Sequence, residues 1–209
     1  RPIAGNMDLH VKLEQRIAEF KRRDAAIYYQ TGFAANAGLI PQLVGKGDHL
    51  FTDELNHGSI IDGVRLTKAA RNIYAHNDMG GLEDLLRKAP DTGRRLIITD
   101  GVFSMDGDIA PLPEMLDVLA SYPGSMLVMD EAHASGAIGP TGGGIYEHFN
   151  ISPQQVLDRG INPLIMTTFS KFAASAGAAI SSHSQDLIKL LNIQPSSICG
   201  SSEQFVGGI

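Results

Sequence analysis

The 209-residue sequence has one cysteine, Cys199, which excludes an intramolecular disulfide and a cysteine-built metal cluster. It also lacks an apolar run near the ~20 residues that a bilayer span takes; Ser125–Met129 is far shorter. The opening, RPIAGNMDLH, has neither an apolar signal-like core nor an initiator Met, so nothing signals secretion and a cytoplasmic place is expected. Cations are scarce too: 17 Lys and Arg against 23 Asp and Glu give a net charge of −6. That balance argues against a nucleic-acid-binding face. What is present fits a globular chain, with 43% hydrophobic and 19% charged residues in a length that can bury a core. Arg1 and the closing FVGGI do not read as natural termini, so the chain is expected to be a piece of a longer protein.

Strand and helix patterns alternate along the sequence. Residues 11–23 place Leu13, Ile17, Ala18 and Phe20 near a 3.6-residue period, an amphipathic helix. Short strands are expected at 25–32, 49–54 and 71–77, and helices at 33–44 (kinked by Pro41), after His57, and at 80–89. Stronger apolar runs follow: LIITD (96–100), SMLVMD (125–130) and PLIMTTFSK (163–171), with a helix at 111–122 between the first two. AAISS (178–182) and a helix at 184–192 follow them. Runs apolar on both faces and separated by helices predict an α/β fold with a mostly parallel sheet flanked by helices. In such sheets, sites form beyond the carboxyl ends of the strands, where Asp100, Asp130 and Lys171 fall.

The segment Asp130-Glu131-Ala132-His133 admits three readings. A helicase-type acidic motif would need a G-x-x-x-x-G-K-[ST] phosphate loop, and the one Gly-Lys pair, Gly45-Lys46, lacks that context. A metal site from Asp130, His133 and His57 lacks a third ligand at matching spacing, so no metal is expected. The third reading has Asp130 holding a cationic ring nitrogen and His133 a neighbouring ring oxygen. That chemistry needs a lysine, and Lys171 lies 41 residues further on among small and hydroxyl residues, surroundings expected to desolvate its amine. Pyridoxal 5'-phosphate (PLP) chemistry has these parts. Its phosphate would sit at Gly32 and Phe33, where the first strand turns into a helix. GPTGGG (139–144) lacks the setting of a phosphate loop and is expected to be a mobile loop near the site.

QTGFAANAG, DELNHGSIIDG, TDGVFSMDGDIAPL, DEAHASGAIG and TTFSK, in this order and spacing, resemble the α-oxoamine synthases. These are fold-type I PLP enzymes that include glycine C-acetyltransferase and 8-amino-7-oxononanoate synthase, and the motifs lean slightly toward the first. The resemblance covers essentially the whole chain. It implies that residues 1–209 are the PLP-binding large domain, without the N-terminal arm and C-terminal small domain. It also implies a PLP-dependent acyltransferase that condenses a small amino acid, glycine by expectation, with an acyl-CoA, in a homodimer with the site at the interface. Lys171 matches the lysine that carries the cofactor and moves the Cα proton, and Asp130 the partner of the ring nitrogen. His133 matches a histidine at the ring hydroxyl, Ser104 a serine near it, and His57 the histidine stacked on the ring. Gly32, Phe33 and Thr168 match phosphate-binding positions, and Ser201 a hydroxyl that reaches the neighbouring subunit's phosphate. The resemblance also has departures. Gly143 stands where the family usually has Arg, Glu131 where Asp is common, and the segment after Lys171 lacks its usual Gly-Gly pair.

Overall fold

The computed structural model describes residues 6–193. The elements run α1 (Asp8–Lys21), β1 (Ala25–Tyr29), α2 (Gly32–Leu43), β2 (His49–Asp53), α3 (Gly58–Leu66), β3 (Ala70–Tyr74) and α4 (Met79–Lys88). They continue with β4 (Arg95–Asp100), α5 (Leu112–Leu119), β5 (Met126–Asp130), α6 (Ile145–His148), α7 (Pro153–Leu157), β6 (Asn162–Thr168), β7 (Ala178–Ser182) and α8 (Gln185–Ile193). The strands form one sheet in the order β1-β7-β6-β5-β4-β2-β3. Pairing is parallel from β3 through β2, β4 and β5 to β6. It is antiparallel at β6–β7 and β7–β1. The expected mostly parallel α/β sheet is borne out.

Alternation along the strands builds a core on each face. Leu96, Ile98, Val128, Leu164 and Met166 point to the side packed by Leu39, Ile40 and Ile60 of α2 and α3. Ile97, Leu127, Met129 and Ile165 point to the other, against Leu82 and Leu86 of α4 and Leu112 and Leu116 of α5. Both faces are covered, which is why these strands read as unbroken apolar runs.

Local signals set the helix starts. Thr31 caps α2 by accepting from the Ala34 N–H at 3.0 Å, and Asp78 caps α4 through the Gly81 N–H at 2.9 Å. The α2 helix runs through Pro41 to Leu43. The short helices α6 and α7, of 4 and 5 residues, are too brief to show a period and were not expected from the sequence.

Candidate active site

The register of the central strands brings the chemistry together. Asp100 of β4 pairs with Asp130 of β5, and Asp130 with Met166 of β6, so the two carboxyls stand side by side at the carboxyl end of the sheet. Thr168 ends β6, and Lys171 lies three residues beyond it. A cavity of about 220 Å³ opens here. It is lined by Gly32, Phe33, His57, Ser104, Asp130, His133, Thr168 and Lys171, that is, all the expected site residues that lie among those described. Ser201 lies outside the described residues.

Asp130 is buried, 2% exposed. Its Oδ1 accepts from the Ala132 N–H at 2.9 Å and its Oδ2 from Asn36 Nδ2 at 2.8 Å. The amide of Asn36 also donates to Ser59 Oγ at 3.0 Å, and Ser59 Oγ is 2.8 Å from His57 Nδ1. Both protons of Nδ2 are thus used, and His57 Nδ1 also accepts from the Ser59 N–H at 3.2 Å. Asn36 and Ser59 therefore wire the Asp130 carboxyl to His57, and sequence reasoning missed both. Asn36 lies inside the motif FAANAG, but nothing in one sequence marks a partner 94 residues away.

Asp100, marked in the sequence only as a strand-end residue, lines the same cavity, and its Oδ2 accepts the His57 N–H at 2.7 Å. Burial, and then the charge of neighbouring Asp130, push the Asp100 pKa up to about 8. Burial also raises the Asp130 pKa, against the two hydrogen bonds. Among the described residues no cation bonds either carboxyl. Burial lowers the His133 pKa, with the Lys171 and His57 charges adding to it, so its imidazole is neutral at pH 7.

The Asp100 shift has a testable consequence. In the unfolded chain an Asp ionises near pH ~4, whereas in the fold Asp100 stays neutral to about 8. Its contribution to stability is therefore complete below pH ~4 and declines until about pH 8, by at most ~1.4 kcal/mol per pH unit. Asp100→Asn keeps an acceptor for the His57 N–H and removes the charge. Thermal melts of the cofactor-free protein should show the variant gaining on wild type across that window and levelling above it. A difference independent of pH would contradict the shift.

At the other end of the cavity, Gly32 and Phe33 lead α2, where their N–H groups have no intrahelical carbonyl to meet. Thr168 Oγ1 stands 3.0 Å from Ser170 Oγ, and a Cβ on Gly32 would lie 3.5 Å from Thr168 Cβ, so the hydroxyls and the helix start converge. Lys171 corrects one expectation. Residues 170–176 are exposed, so their small side chains leave the amine open on a surface turn and do not desolvate it. GPTGGG is likewise no part of the cavity lining. It is a bonded turn, with the Thr141 and Gly143 N–H groups on Glu147 Oε2 at 2.9 and 2.8 Å and the Gly136 N–H on the Gly142 carbonyl at 2.8 Å.

This donor set matches PLP: a buried carboxyl without a cation for a protonated ring nitrogen, helix-start N–H groups for a phosphate, and an amine at the rim. Comparison with known proteins agrees. The family described as aminotransferase class I and II matches residues 2–205, and the chain belongs to that family. Relatives named 8-amino-7-oxononanoate synthase include one from Geobacter sulfurreducens, 44% identical over 86% of this chain and 46% of its own length. Another, from Thermoanaerobacter pseudethanolicus, is 45% identical over 92% of this chain and 47% of its own. The chain thus spans about half the length of these curated relatives. Among solved structures, a serine palmitoyltransferase of S. paucimobilis with bound PLP–myriocin aldimine superposes with a TM-score of 0.84. It shares 33% identity over 92% of this chain and 46% of that one. An 8-amino-7-oxononanoate synthase of Francisella tularensis gives a TM-score of 0.75 at 29% identity, over 90% and 51%. The resemblance to the α-oxoamine synthases is borne out.

Proposed function

We propose that this chain is the PLP-binding large domain of an α-oxoamine synthase, joining a small amino acid to an acyl thioester. The observation that carries the reading is the buried Asp100–Asp130 pair, without a cation, facing the same cavity as Lys171. Asp130 would hold the ring nitrogen and keep a proton on it. Gly32, Phe33 and Thr168 would hold the phosphate, with Ser201 of a second copy reaching it. Ser104 and His133 would hold the ring hydroxyl, and His57, fixed by Ser59, would lie on the ring face. When bound, PLP supplies an electron sink for a carbanion at the amino acid's Cα. Lys171 would hold the cofactor covalently and, once displaced by the substrate's amine, take the α-proton on Nζ. The neutral His133 imidazole would then stand by the acyl carbonyl as the new C–C bond forms, the C–S bond breaks and CoA leaves as the thiol. A homodimer fits this reading, because Phe33, which lines the cavity, is 54% exposed and Phe172, next to Lys171 in the chain, is 41% exposed.

Glycine is one candidate donor. The relatives' product name, 8-amino-7-oxononanoate, puts the amine on a carbon that also bears a methyl group, which matches alanine. The test supplies the full-length protein with glycine or L-alanine and with acetyl-CoA or a longer acyl-CoA, reading free thiol and product mass. The expected result is thiol release only when both partners are present, with an aminoketone as product. Amino transfer to a 2-oxo acid without thiol release would overturn the reading in favour of a transaminase, as the family's name allows.

A further inference from the structure

Outside the cavity, the structure buries one ion pair whose members are far apart in sequence. Lys21, the last residue of α1, and Glu131, next to Asp130, form a salt bridge with both side chains 0% exposed. The Lys21 ammonium also donates to Ser135 Oγ at 2.5 Å and to the Gly143 carbonyl at 3.0 Å, so its three protons meet three acceptors. Glu131 is equally committed, accepting from Ser135 Oγ and the Ile145 N–H, each at 3.2 Å. Burial lowers the Lys21 pKa while the Glu131 charge raises it back. Gly144 has φ +101, and a Cβ there would sit 2.1 Å from the Glu131 carboxylate, so the turn admits only glycine.

None of these groups lines the cavity, but their backbone does the placing. Glu131 lies between Asp130 and Ala132, whose N–H holds the Asp130 carboxyl, and His133 follows directly. A shift of the 131–135 turn therefore moves both residues. We propose that Lys21 is a positioning residue: from the end of α1 its ammonium pins this turn to the glycine turn and so sets where Asp130 and His133 stand in the cavity. The catalytic part of this inference rests on the proposed function; the structural part does not.

The experiment uses the full-length chain with Lys21→Met and Lys21→Met/Glu131→Gln. In the cofactor-free protein, Lys21→Met should speed amide exchange at Ser135, Gly144 and Ile145 by about tenfold or more, since a lone buried Glu131 must be hydrated. In the loaded enzyme kcat should fall about 100-fold, with little change in KM. The Gln double variant removes the stranded charge and should regain melting temperature but not kcat. Unchanged exchange in Lys21→Met, or recovery of kcat in the Gln double variant, would overturn the positioning role. If Lys21→Met does not fold, the Gln double variant carries the comparison: restored folding with kcat still about 100-fold down supports the positioning role, and full kcat overturns it. If wild type binds no PLP, the proposed function fails and the exchange arm still decides the clamp.

Discussion

Lys171→Ala is expected to lower turnover by on the order of 10⁴-fold, the upper range for losing a positioned proton-transfer group. The effect would be large because, in the proposed function, one nitrogen both tethers the cofactor and handles the α-proton. It should cost almost nothing in stability. Lys171 is exposed and its side chain makes no hydrogen bond or ion pair among the described residues, so its truncation belongs with surface substitutions, within about 0.5 kcal/mol. Gly32, Phe33 and Thr168, proposed to hold the phosphate, remain, so the variant should still take up PLP, now removable by dialysis. Steady-state kinetics beside a urea titration checks both halves. Equal loss of stability and activity would mean that the lysine is structural.

Asp130→Asn is expected to move stability and activity in opposite directions. The carboxyl is buried and its pKa is raised by that burial, so at pH 7 the cofactor-free fold pays for either its charge or its proton. The amide has the same shape and an oxygen for the Ala132 N–H, and its NH2 faces Asn36, whose amide can turn over to present the buried Oδ1 that has no partner in wild type; the cofactor-free variant should melt higher than wild type. With PLP, the variant would lack the charge proposed to keep the ring nitrogen protonated, and kcat should fall by about 10²–10³. Melting temperature without cofactor and kcat with it form the decisive pair. A variant that is both less stable and fully active would contradict the role given to Asp130. Such opposition is the usual mark of a residue kept for function at a cost to the fold.

The sheet was legible because its signal is local. LIITD and SMLVMD alternate side chains into two covered faces and end where β4 and β5 end, whereas the run PLIMTTFSK reaches past the end of β6 at Thr168. Asp130 and Lys171 were legible from those runs, and Thr168 from the resemblance. What stayed hidden is what only the fold creates. Asn36 and Ser59 meet Asp130 and His57 through the packing of α2 on α3, and Lys21 meets Glu131 across 110 residues. The small residues around Lys171 suggested a sealed amine, but small side chains cover nothing when the turn lies on the surface. The absence of the family's usual Arg at Gly143 read as a lost cation, and the structure shows Lys21 reaching the same turn from the other side.

Borohydride reduction of the full-length protein loaded with PLP, followed by peptide mass mapping, tests the central claim most directly. Reduction fixes any imine between the cofactor and a lysine, so the map reports which amine held it. The account predicts one pyridoxyl-phosphate mark per chain, on Lys171, absent in Lys171→Ala. A mark on another lysine, or none in a folded protein saturated with PLP, would contradict it.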